Sequence, residues 1–82
     1  MQDLLYKIRK LRELTDLSAE QMAGHLEISA RMYRKIEAGE GGLTIPRLCR
    51  IAERFSCRPG DLLNESLDEL RVRVLLLTIA KA

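Results

Sequence analysis

The sequence predicts an all-α fold, a compact five-helix domain with an additional C-terminal helix, and three observations carry that prediction. Apolar residues recur at helical spacing, and nothing alternates with period two through residues 3–63. Helix-start signals precede these stretches, the clearest being the S-x-x-Q pattern of Ser18 and Gln21, in which each side chain satisfies an orphan backbone donor. The aromatic residues are only Tyr6, Tyr33 and Phe55, so the core has to be assembled mostly from Leu, Ile, Val and Ala, which suits packed helices better than a sheet sandwich. With 82 residues, 46% of them hydrophobic and 32% charged, the chain makes one domain near the size at which a single core suffices without staples.

The first helix is expected over residues 3–15, with Leu4, Ile8, Leu11 and Thr15 on one face. Ser18 opens the second, whose apolar stripe is Met22, Ala23 and Leu26. Ser29 opens the third, with Tyr33 and Ile36 on its buried side and Gly39 as its stop. Thr44 caps the fourth, which tolerates Pro46 in its first turn and turns Leu48, Ile51, Ala52 and Phe55 inward. The fifth is short, beginning on Pro59 and ending in Leu62 and Leu63. Ser66 and Glu69 form another capping box, so a sixth helix is expected over residues 67–80. A strand is its rival, since Val72, Val74 and Leu76 alternate with Arg71 and Arg73.

A net charge of +2 is too small to argue for nucleic acid by itself. Its distribution says more. Residues 28–58 carry seven basic side chains against three acidic ones, whereas residues 65–82 carry three of each sign. Cys49 and Cys57 lack a metal-ligand spacing and are expected as small core residues, so neither a metal nor a cofactor is expected. A reducing cytoplasm fits two unpaired cysteines better than a secreted setting. Residues 1–13 mix charge throughout, and the apolar run 74–80 is too short to span a bilayer, so no membrane association is expected. The glycine-rich loop at residues 39–42 has no preceding strand and no following Lys-Ser/Thr, which argues against a nucleotide cradle. No nucleophile or acid stands beside His25, and an enzyme is not expected.

Residues 8–63 resemble the helix-turn-helix domain of phage repressor and Cro-type regulators, the XRE family. The matching pieces are Arg12 late in the first helix, Leu17-Ser18, Ala23, Ile28-Ser29, Ile36-Glu37-x-Gly39 and Leu62-Leu63. Their order and spacing cover about two thirds of the chain. The resemblance divides it into a DNA-binding domain at residues 1–64 and a C-terminal apolar helix at residues 65–82. It also implies that Arg12 pairs with Glu37. A carboxylate in the last turn of a helix opposes the macrodipole and needs a cation.

Three positions where the family has glycine hold Asp16, Glu27 and Ser56, and the turn between the second and third helices, at Glu27, is expected to be less regular than the family's. The glutamine that usually follows the capping Ser, a DNA contact in the family, is Ala19. By position, Ala30, Arg31, Met32 and Lys35 match the family's base-facing places, with Ser29 at the helix start and Arg34 on the flank. Arg binds a guanine edge bidentately, while Ala30 and Met32 suit a thymine methyl. Pure phosphate neutralisation by Arg31, Arg34 and Lys35 is the competing reading. Phosphate positioning is expected from Ser18 and Gln21 at the start of the second helix, and from Thr44 and Arg47 at the start of the fourth.

The last helix holds more apolar surface than one small domain easily covers, with Leu67, Leu70, Val74 and Leu77 in one stripe and Leu75, Leu76 and Ile79 beyond it. A homodimer seam is the preferred use of that stripe, docking onto the parent domain the alternative. With the seam, the domain at residues 1–64 is expected to keep its own core when the tail is removed. The expected function is sequence-specific double-stranded DNA binding by a small dimeric repressor, on an inverted-repeat operator, with the third helix in the major groove. The alternative is an antitoxin or other interaction module whose apolar tail binds a partner protein.

Overall fold

A computed structural model describes the backbone of residues 2–81 and the side chains of residues 3–77. The described residues form six α-helices: α1 (Gln2–Leu14), α2 (Ala19–Leu26), α3 (Ala30–Glu37), α4 (Ile45–Arg54), α5 (Pro59–Asn64) and α6 (Leu67–Lys81). The predicted start signals act as local chemistry requires. Ser18 Oγ accepts from the Gln21 amide while Gln21 Oε1 accepts from the Ser18 amide. Ser29 and Thr44 cap α3 and α4 through the Met32 and Arg47 amides. Ser66 and Glu69 repeat the reciprocal box at the start of α6, which is a helix and not the rival strand.

One core joins all six helices. Leu4, Leu5, Ile8 and Leu11 of α1 meet Met22, Ala23 and Leu26 of α2 and Tyr33 and Ile36 of α3. Leu48, Ile51, Ala52 and Phe55 close it from the α4 side, and Leu62 from α5. Ala23 is only 2% exposed in the α2–α3 hairpin, where a larger side chain would push the helices apart. Cys57 is half-buried but Cys49 is exposed, contrary to the expectation of two core cysteines. Cys49 follows the inward Leu48 by one residue, about 100° round the helix, and so points to solvent.

The tail requires a correction. Leu70 and Val74 lie in the core, and Leu67 is packed against it, because α6 docks onto α1. Leu77 is half-buried on the same side. The expected seam of Leu67, Leu70, Val74 and Leu77 therefore faces inward, and the apolar residues left outside are Val72, Leu75 and Leu76, with Leu63 of α5. Ile79 lies outside the described side chains. Polar contacts reinforce the docking. Arg73 donates to Asp61 and to Glu65, each at 2.8 Å, and Lys7 Nζ donates to the Glu65 carbonyl at 3.0 Å. Asp61 is held below the usual carboxylate range, first by the Arg58 amide and then by Arg73. A chain cut after residue 64 would lose part of its core, so the tail is structural.

Four helices end in the same way. The amides of Leu17, Ile28, Glu40 and Cys57 each reach back to the carbonyl five residues earlier, at 2.9–3.0 Å. Each closure places the preceding residue at positive φ: Asp16 at 56°, Glu27 at 58°, Gly39 at 79° and Ser56 at 56°. The turns at Asp16, Glu27 and Ser56 are thus as regular as the one made with glycine, which at Glu27 is contrary to expectation. Strain sits in three residues rather than in the path of the chain.

Glu27→Gly is expected to raise stability by about 1 kcal/mol, since the left-handed conformation costs a Cβ-bearing residue that much and glycine nothing. The Glu27 contact with Arg50 is 3.9 Å long and solvent-exposed, so its loss offsets little. Urea melts of the two proteins measure the difference; an unchanged or lower midpoint would mean the turn is unstrained.

Candidate nucleic-acid interface

The α2–α3 hairpin presents one polar surface to solvent. Tyr33 and Ile36 turn α3 inward, which leaves Ser29, Arg31, Arg34 and Lys35 exposed along its opposite side and Ala30 half-covered. Four of the residues expected there have different circumstances. Among the described residues, the Arg31 and Lys35 side chains have no ion pair or hydrogen bond. Arg34 is paired with Glu20 of α2. Met32 is half-buried and packed against the core, so less of it is available than its position implied.

Met32 is held there by the loop after α3. Gly42 adopts φ +92°, which favours glycine, and a Cβ on it would crowd Met32 Sδ at 3.0 Å and Ile36 Cγ1 at 3.2 Å. The Arg47 guanidinium donates to the Gly42 carbonyl and pins this loop over α3. Arg47 is thereby a loop staple, while Thr44 is occupied in capping α4. At the start of α2, the capping box uses the Ser18 and Gln21 amides. The amides of Ala19 and Glu20 have no acceptor within the helix, as in any first turn.

Behind this surface lies the expected pair. Arg12 Nε donates to Glu37 Oε2 at 2.9 Å and Arg12 Nη2 to Glu37 Oε1 at 3.0 Å, a two-pronged contact. Arg12 Nη1 also donates to the Leu17 carbonyl at 2.8 Å. With side chains only 15% and 12% exposed, the pair ties the end of α1 to the end of α3 and to the residue before the α2 cap. Hydrogen bonding to Glu37 holds the Arg12 guanidinium still more firmly protonated than usual. Among the described residues the Tyr33 hydroxyl is buried nearby without a hydrogen-bond partner, and burial pushes its ionisation up.

Residues 8–62 match a family model described as Helix-turn-helix. The chain belongs to this family, the XRE-type helix-turn-helix DNA-binding regulators. No curated protein and no solved structure matches it. Within the helix-turn-helix, α2 and α3 are the paired helices and Glu27 forms their turn. No helix among the described residues is long and apolar enough to cross a membrane. His25, in the last turn of α2, has Nε2 shut away from solvent, with no partner for it among the described residues.

The Glu20–Arg34 contact escaped the sequence reading, as did the burial of Leu5. Glu20 and Arg34 are fourteen positions apart on different helices, so no local spacing rule connects them.

Removing one member of the Arg12–Glu37 pair strands a largely buried charge. Arg12→Met and Glu37→Gln should each cost about 3 kcal/mol, and the double variant distinctly less than their sum. Denaturant melts of the four proteins complete the cycle. Strict additivity would show that the contact carries no coupling.

Proposed function

We propose that this helix-turn-helix protein is a sequence-specific regulator of double-stranded DNA, acting as a small dimeric repressor with α3 in the major groove. The observation that carries the reading is the pair of unengaged cations, Arg31 and Lys35, on the exposed side of a helix whose other side is locked into the core. Neither has a partner to give up among the described residues, and the backbone under them is fixed by Tyr33 and Ile36. Arg31 lies in the first turn, the end of a recognition helix that meets base edges, and an arginine there suits guanine O6 and N7. Ser29 and Ala30 flank it, and Lys35 follows one turn later. Gln21 and Ser18 shape the phosphate-facing start of α2, and the Ala19 amide between them has no acceptor within the helix. Arg34, Met32, Thr44 and Arg47 take secondary parts, because each is already engaged.

Dimerisation, in this reading, uses the outer face of α6. Val72, Leu75 and Leu76 are 46–62% exposed on one described helix, more apolar surface than a solvated helix usually shows. A two-fold axis there would place two third helices on one side of the duplex, and the operator would be an inverted repeat with half-site centres about 34 Å apart. The same face supports the second reading, an antitoxin-like module whose tail binds a protein partner.

Arg31→Ala and Lys35→Ala are expected to weaken binding to the operator by about 1–3 kcal/mol each and to random DNA by much less. Titrations on both DNAs at one fixed salt concentration separate base contacts from phosphate contacts, and equal losses would reduce both residues to backbone binding. Leu76→Glu should convert the sedimenting dimer to a folded monomer whose melting temperature no longer depends on protein concentration. A wild-type chain already monomeric at micromolar concentration would leave the protein-partner reading in its place.

A further inference from the structure

Glu20 stands in the first turn of α2, beside the amides that the capping box leaves open, and its carboxylate holds the guanidinium of Arg34 on the neighbouring helix. Both side chains are 58% exposed, so the contact lies on the polar face of the helix-turn-helix and closes no part of the core. Its cost to DNA binding follows from charge. One of three exposed cations on α3 is neutralised, and a negative charge stands in the first turn of α2, the end of a helix that attracts phosphate.

We propose that Glu20 is an intramolecular competitor of the DNA backbone, which stands in the first turn of α2 and keeps Arg34 off the phosphates in the wild-type complex. Arg34 is then a held cation, distinct from Arg31 and Lys35. The carboxyl of Glu20 is kept below its ordinary range, first by the amide of its own residue and then by Arg34, as expected of an anion already lodged at the helix start. Because a phosphate contact carries no sequence information, the effect of Glu20 falls on every duplex alike. It sets how tightly the protein holds DNA in general, while Arg31 and Lys35 set which DNA it prefers.

The inference rests on the DNA-binding reading, and a random-sequence duplex is sufficient to test it. The full chain, Glu20→Gln, Arg34→Gln and the double variant are titrated with that duplex over a range of salt concentrations. Glu20→Gln is expected to bind about fivefold tighter at low salt, the size of one carboxylate–phosphate repulsion at about 4 Å in water. Its plot of log affinity against log salt should be steeper by about 0.9, because the released Arg34 neutralises one more phosphate. Arg34→Gln alone should keep the wild-type slope, and the double variant should return to it. A purely structural contact would lower the melting temperature of Glu20→Gln and leave the slope where it was. Unchanged affinity and slope in Glu20→Gln, with wild-type binding intact, would overturn the inference alone. A wild-type chain that binds no duplex at low salt would overturn the DNA-binding reading and this one with it.

Discussion

The contact on which the rest of the structure depends is the two-pronged ion pair between Arg12 and Glu37. It joins the last turn of α1 to the last turn of α3, and through the Leu17 carbonyl it also fixes the chain just before α2 begins. Apolar packing alone would bring the same helices together, but packing is non-directional. A guanidinium fork against a carboxylate specifies distance and orientation together. Three helices with eight to thirteen residues each are thereby held at one mutual angle. Glu37, unfavourable by the helix dipole alone, is stabilised by this neighbour.

From that fixed frame the exposed cations acquire distinct parts. Tyr33 and Ile36 set the rotation of α3, and the rotation decides that Arg31 and Lys35 face solvent. Glu20 restrains Arg34, and the Gly42 carbonyl restrains Arg47. A basic surface is thus less uniform than its composition implies, with two side chains free and two held. The tail contributes from the other side, since Leu70 and Val74 complete the core against α1 while Arg73 and Lys7 tie the α5–α6 junction.

Much of this was legible in the sequence, for local reasons. Capping boxes at Ser18 and Ser66, the Gly39 stop after α3, and the inward faces of α1 to α5 all obey spacing rules that operate within one or two turns. The Arg12–Glu37 pair was legible only through family resemblance, because the residues are twenty-five positions apart. What stayed hidden depends on how separate helices meet. The inward face of α6 was misread because its stripe and its outer face are both apolar, so hydrophobicity could not tell core from surface. Cys49 was misplaced by its small size, although the rotation of α4 set by Leu48 already turned it outward. Glu20 and Arg34 meet only because the α2–α3 hairpin folds back on itself.

If the Arg12–Glu37 pair orients α3 and does not merely add stability, its removal should loosen that helix selectively. Amide hydrogen exchange of Arg12→Met under native conditions measures this helix by helix. The predicted result is a local opening in which the amides of α3 and the start of α2 exchange early while those around Ile51 and Ala52 in α4 stay protected. Equal loss of protection in every helix, or none in any, would contradict it.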